Sequence, residues 1–198
     1  MARIADPEMR RHREILTISC KLFASKGYHA TSMSEIADAA KLNKGTLYHY
    51  FRSKADILHA VYSTIAEAID GRLASIPHDA APPDALRLVI QHILELHAER
   101  PRELEVYFQE QRHLSQWLPK AQVKALRDAE GQFMKRVVAI IDAGIDSGQF
   151  RPVESKLAAL GVVGVVAWAT QWFDPRGVYS RADVATAFGD LTINGLTA

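Results

Sequence analysis

Three groups of residues have side chains able to act on another molecule, and two of them reduce to background. His92, His97 and His113 could ligate a metal. His92 and His97 stand five apart, however, off the i, i+4 spacing that puts two ligands on one helix face, and His113 falls on a different helix. No metal site is expected. Glu103, Glu105 and Glu110 read as a solvated helix face rather than paired acid–base carboxylates. No P-loop, GxGxxG or HExxH pattern occurs, so no catalytic residue is named, no cofactor is expected and the chain does not read as an enzyme. The third group is Lys44-Gly45-Thr46-Leu47-Tyr48-His49-Tyr50. As one short helix it turns Leu47, with Phe51, inward and leaves Lys44, Gly45, Thr46, Tyr48, His49 and Tyr50 outward or at the rim. Two tyrosines, a histidine and a lysine on such a face suit base edges and phosphates. The bland alternative is an exposed aromatic turn in an ordinary bundle. Gly45 costs about 1 kcal/mol of helix stability against Ala, which makes sense where the backbone must approach another molecule.

The elements around this face have legible starts. Ser32 precedes Met33 and has Glu35 three residues on, the reciprocal capping-box spacing. Ile36, Ala37 and Ala40 give the short helix that follows an apolar face. Lys41-Leu42-Asn43 is long enough only for a turn, with Asn43 as N-cap of the next helix. Ser53 caps a third helix, with Asp56 in its first turn. Two short helices across a three-residue turn form a helix-turn-helix, whose second helix lies in the DNA major groove. Ser32 and Asn43 join the candidate DNA-binding residues. Lys54, at the start of the helix capped by Ser53, is expected to hold a phosphate.

Phe23, Gly27-Tyr28, Ala30-Thr31, Ile36-Ala37, Lys44-Gly45-Thr46-Leu47-Tyr48, Tyr50-Phe51 and Lys54 together resemble the N-terminal domain of the TetR family of bacterial transcriptional regulators, over about residues 12 to 62. The resemblance implies a dimeric, all-helical repressor with a small-molecule pocket in its C-terminal part. By position it implies that Thr31, Lys44, Gly45, Thr46, Tyr48, His49, Tyr50 and Lys54 touch DNA.

The rest of the chain reads as helices. One begins at Arg10, Arg11 and Arg13, which either follow a phosphate backbone or solvate a helix end, and runs to Lys26 with Gly27 as its stop. A longer one runs from Ser53 to about Ile76 and joins the two parts. Three prolines in Pro77–Asp84 break it. Asp84 is expected to cap a helix to about Arg100, and Pro101 to open another ending near Trp117. The longest periodic run is Pro119–Ser147, closed by Gly148. Val153–Phe173 is apolar all round and is expected to be buried on several sides. Ser180 with Asp183 starts the last helix. About nine helices in an all-α fold result, divided into a DNA-binding domain, residues 1–54, and a ligand-binding and dimerisation domain, residues 55–198.

Tyr107, Phe108, Trp117, Phe133, Trp168 and Trp172 are spread over the second part, where they line a ligand site or fill the core. Small-molecule sites are largely apolar with a few orienting polar groups, and Gln111 and Arg112, with His113, could supply these. Ala158, Gly161, Gly164 and Ala167 recur along the penultimate helix and admit a close neighbour. With Val184, Phe188 and Leu191 they form a candidate dimer interface, an intrachain contact being the competing account. A pair of reading heads suits a palindromic operator in double-stranded DNA. The segment Trp172-Phe173-Asp174-Pro175-Arg176-Gly177 is also similar to the ending of TetR-type regulators that sense acyl-CoA thioesters. That implies an acyl-CoA effector, with Arg176 or Arg112 at the CoA phosphates.

Charge agrees with this order. The chain of 198 residues carries a net charge of only +1, yet residues 1–60 hold ten Lys/Arg against six Asp/Glu, and the remainder fourteen against seventeen. Any polyanion belongs at the N-terminal end. Cys20 is alone and expected to be a buried, inert thiol in a reducing compartment. The longest apolar run, Leu157–Ala169, is too short to span a bilayer, and no signal-peptide core precedes it, so a cytoplasmic location is expected. The other class of function that remains is a helical small-molecule-binding protein or enzyme whose N-terminal helices are structural.

Overall fold

The computed structural model describes residues 7–174 and 177–197, the side chains of Thr170 and Gln171 apart. Among the described residues there is no strand, and the chain is all-α as expected. It packs as two compact units. One joins the residues up to Ile65 with Arg102–Leu126; the other joins Ala66–Pro101 with Arg127 onward. The units of packing are thus not contiguous in sequence. The expected boundary at 54/55 does not coincide with them, because the early part of the C-terminal half is buried in the core of the N-terminal unit.

In the first unit, α1 (Pro7–Lys26) already includes Pro7, three residues before its expected first arginine. Gly27 closes it with a backbone amide on the Phe23 carbonyl and φ +87°, a conformation glycine takes without cost. α2 (Met33–Ala39) and α3 (Lys44–Tyr50) follow, then α4 (Lys54–Ala74), whose first turn is capped by Ser53 Oγ accepting from the Asp56 amide. The expected single helix from Pro101 to Trp117 is interrupted. It forms α6 (Pro101–Glu110), a 3₁₀ turn (Gln111–His113) and α7 (Leu114–Trp117), and counted as one broken rod it gives nine helices among the described residues, against about nine expected. Val106 and Leu114 from this rod, Leu118 just after it, and Val123 and Leu126 from the first turns of the helix that follows share one buried cluster with Ile15, Leu16, Cys20, Phe23 and Tyr28. Cys20 is fully buried, and that burial raises its thiol pKa.

In the second unit, α5 (Pro82–Glu99) starts three residues earlier than expected. Ala81 is its N-cap without a side-chain hydrogen bond, and Asp84 lies in the first turn rather than at the cap. Two prolines in the opening turn set φ where their missing N–H groups cost nothing. α8 (Lys120–Asp146) contributes Val137 and Ile141 to the core, α9 (Ser155–Trp172) contributes Ala159, Val162, Val166 and Ala169, and α10 (Arg181–Leu196) contributes Val184, Ile193 and Leu196. Ser180 and Asp183 form the reciprocal box that starts α10. Gly144 admits the Phe150 ring against α8, since a Cβ there would lie 2.0 Å from the ring. No helix among the described residues is long and apolar enough to cross a membrane.

Candidate nucleic-acid interface

The reading face is built by local capping. Ser32 Oγ accepts from the Glu35 amide, and the Glu35 carboxylate accepts from the Ser32 amide. The same carboxylate accepts from Lys26 Nζ at 2.5 Å; that bond, followed by those to Ser32, lowers its pKa to about 2. The tie anchors the start of α2 to the end of α1. Asn43 Oδ1 accepts from the Thr46 amide at 2.8 Å and from the Thr46 hydroxyl at 3.0 Å, which starts α3 and fixes Thr46 at the same time. Leu47 and Phe51 are buried under α3. Lys44, Gly45, Tyr48 and His49 are exposed, Thr46 and Tyr50 half-buried, and the His49 and Tyr50 rings meet edge to face at 5.6 Å. Lys41 closes the turn between α2 and α3 at φ 52°, a left-handed conformation that costs a non-glycine residue roughly 1–2 kcal/mol.

Two expected DNA contacts sit elsewhere. Thr31 is buried, and its hydroxyl donates to the Gly27 carbonyl at 3.0 Å, inside the corner between α1 and α2. The Lys54 ammonium donates to the carbonyls of Tyr28 (2.6 Å), His29 (3.0 Å) and Thr31 (2.6 Å), and lies 4.5 Å from the Tyr28 ring centroid. An ammonium has three N–H groups, so Lys54 is saturated by the protein's own backbone and is a tie within the head. Burial lowers its pKa, against the opposing charges of Glu110 and Glu35. On the far side of the same corner Glu110 accepts from the Tyr28 amide at 3.4 Å and from Trp117 Nε1–H at 3.2 Å. The Trp117 ring lies 5.3 Å from Tyr28 and 5.5 Å from His29. Tyr28, buried among these groups, has its pKa raised to about 12, first by burial and then by Glu110 and Asp56.

The second unit holds an open cleft of about 550 Å³ between the end of α4, the Pro77–Ala80 turn, the start of α5 and α8. Leu73, Ile76 and Ile140 line it with Ala74, Ala80, Ala85, Ala139 and Ala143, and Arg136 and His78 add polar groups. Arg136 is exposed and paired with Asp70 at 3.0 Å. None of the expected ligand residues lines this cleft. Gln111 and Arg112 are exposed on the 3₁₀ turn, Trp117 packs on the α1–α2 corner, and Tyr107 and Phe108 are half-buried in the first unit, where the Tyr107 carbonyl accepts from the Tyr62 hydroxyl. Phe133 is half-buried against the second core. Arg176 lies outside the described residues. Trp168 and Trp172 are 65% and 43% exposed, which removes them from any enclosed site within the chain.

They belong instead to the outer side of α9. Leu157 (68% exposed), Leu160, Gly161, Gly164, Trp168 and Trp172 stand on that side, and Leu191 of α10 is exposed as well. Ideal Cβ atoms at Gly161 and Gly164 would meet nothing within 4 Å. The expectation that α9 is buried on several sides therefore fails within the chain: one side packs and the other is bare. Of the expected interface residues, Gly161, Gly164 and Leu191 are exposed, Ala158 and Ala167 half-buried, and Phe188 packs on the core beside Trp172. Val184 is buried in the chain's own core, so it is not free to meet a partner. Leu157 and Leu160 were absent from the expected face. Their spacing of three, continued at intervals of four by Gly164, Trp168 and Trp172, is the signal that identifies it.

Residues 15–61 match the family model of bacterial regulatory proteins, tetR family, and residues 79–196 match that of the tetracyclin repressor-like C-terminal domain. The chain belongs to the TetR family. It is a DNA-binding transcriptional regulator. The HTH-type transcriptional repressor KstR2 of Mycolicibacterium smegmatis is 28% identical over 195 residues, 98% of this chain and 93% of its own. A crystal structure of the regulator AibR, in complex with isovaleryl coenzyme A and operator DNA, superimposes with a TM-score of 0.80 at 25% identity over 91% of this chain and 97% of that one. KstR2 of Mycobacterium tuberculosis shares the fold, with a TM-score of 0.88 at 23% identity over 99% and 97%. In this TetR-family chain, Lys44, Gly45, Tyr48 and His49 are the exposed residues of the second helix of the helix-turn-helix.

Proposed function

We propose that the protein is a cytoplasmic, dimeric repressor that leaves a palindromic operator when a small molecule binds, with residues 1–54 as the reading part and 55–198 as the sensing and dimerising part. The observation that carries this is α3, a helix capped by Asn43 and seated on buried Leu47 and Phe51, which holds Lys44, Gly45, Tyr48 and His49 out to solvent. Lys44 and His49, beside the hydrogen-bonded Thr46, read base edges; Tyr48 and Tyr50 serve phosphates. Ser32 and Asn43 contribute through the helix starts they cap. Two copies meet through the bare side of α9 and Leu191.

The effector is proposed to be an acyl-CoA thioester. AibR, solved with isovaleryl coenzyme A, supports that class, and the cleft beside Arg136 offers an apolar channel for an acyl chain with a cation at its edge. The Arg136–Asp70 pair is exposed and worth at most about 1 kcal/mol, so an anionic ligand group can displace it.

Binding of the purified protein to DNA from beside its own gene tests the reading. Affinity should fall steeply with salt, and Lys44→Ala should relax preference at one or two base pairs per half-site, each worth roughly 1–3 kcal/mol. A protein without sequence preference, or a Lys44→Ala variant that selects the same consensus, contradicts the assignment.

A further inference from the structure

The corner between α1 and α2 is held from both sides. Lys54 takes its carbonyls at residues 28, 29 and 31. Glu110, 82 positions after Tyr28, takes the Tyr28 amide and, with its other oxygen, the indole N–H of Trp117. The indole in turn covers Tyr28 and His29. Ser32, the N-cap of α2, directly follows this corner, and α2 is tied to the turn before α3 by the Leu42 amide on the Ala37 carbonyl. A displacement of the corner is therefore passed to the reading helix through short, rigid links. One feature sets Glu110 apart from a solvated glutamate: each carboxylate oxygen has its own N–H donor, and both donors belong to one aromatic cluster at the base of the head.

We propose that Glu110, acting with Trp117, is a positioning residue for operator binding, so that a segment remote in sequence from the reading helix sets its placement on DNA. This rests on α3 being the helix that contacts DNA. The carboxylate receives the Tyr28 amide and the indole N–H; the indole ring holds the Tyr28 and His29 side of the corner. Neither residue contacts DNA. Their removal should cost geometry rather than charge neutralisation.

The test uses the full chain and its operator, with Glu110→Ala, Glu110→Gln and Trp117→Phe, and follows anisotropy of labelled operator and of random duplex. Wild-type binding to operator comes first, and its failure removes the DNA-reading assignment rather than this one. Glu110→Ala should weaken operator binding by about 10-fold while binding to random DNA and the salt slope stay at wild-type values, because both follow phosphate neutralisation. Glu110→Gln keeps an oxygen acceptor for one of the two N–H groups and should lose less. Trp117→Phe keeps a ring but not the N–H, and should also lose operator affinity. The proposal is overturned if folded Glu110→Ala and Trp117→Phe bind operator within twofold of wild type. It is equally overturned if operator and random DNA weaken in parallel with the folded fraction seen by circular dichroism, which marks a purely structural role. Where Glu110→Ala does not fold, Glu110→Gln decides by the same ratio.

Discussion

Lys54 shows how far a residue's type determines its work. A lysine at a helix start beside a DNA-reading turn reads as a phosphate anchor, yet its ammonium is spent on three carbonyls of the α1–α2 corner. Lys54→Ala should therefore destabilise the head by about 1–2 kcal/mol, less than fully buried charged hydrogen bonds because the site is partly exposed. It should leave the slope of affinity against salt unchanged. Urea denaturation and a salt titration of DNA binding separate the two roles: intact stability with a slope lower by about one charge restores the phosphate contact. The caps at Ser32, Asn43, Ser53 and Ser180 were legible because donor and acceptor lie three residues apart. The partners of Lys54 and Trp117 were not, since they come together only through tertiary folding over 26 and 7 positions, respectively, with the corner and Glu110 arriving from different helices.

At the scale of elements, helix positions followed from period and punctuation, whereas the direction each apolar face takes did not. In α9 a packed stripe, Ala159, Val162, Val166, Ala169, runs opposite a bare one, and both are apolar. Hydrophobicity alone cannot say which of them meets the chain's own core. The glycines on the bare stripe make a clean probe, because Gly164 has open space around its absent Cβ. Gly164→Leu should not disturb the chain's own packing, and it removes a helix-interior glycine that costs about 1 kcal/mol. It should nevertheless yield more monomer in light scattering, with helical content unchanged in circular dichroism. A variant that stays fully dimeric places the contact between copies elsewhere. The break of α6 from α7 was equally hidden: Gln111–His113 contains no proline or glycine, and the 3₁₀ turn there has no side-chain cap.

For the whole molecule, sensing and reading are linked by thermodynamics: an effector that lowers operator affinity must itself bind more weakly to the operator complex. The proposed cleft can be tested for that reciprocity. Ala139→Trp should fill it, abolishing any thermal stabilisation by acyl-CoA thioesters and any release of operator by them, while operator affinity without effector remains. In the wild type the thioester effect should grow with chain length, by up to about 0.8 kcal/mol per buried CH₂, with free CoA as the control. Thioesters that act undiminished on Ala139→Trp bind elsewhere. The division of packing has a separate consequence for anyone building hybrid regulators. Because Arg102–Leu126 completes the hydrophobic centre beneath the helix-turn-helix, the head is not a detachable cassette. A fusion joined after residue 54, or even after 65, would seat this head on a foreign counterpart of Val106, Leu114 and Leu118. Transplants that carry residues 102–126 along with the head should fold and read DNA where simple N-terminal swaps do not.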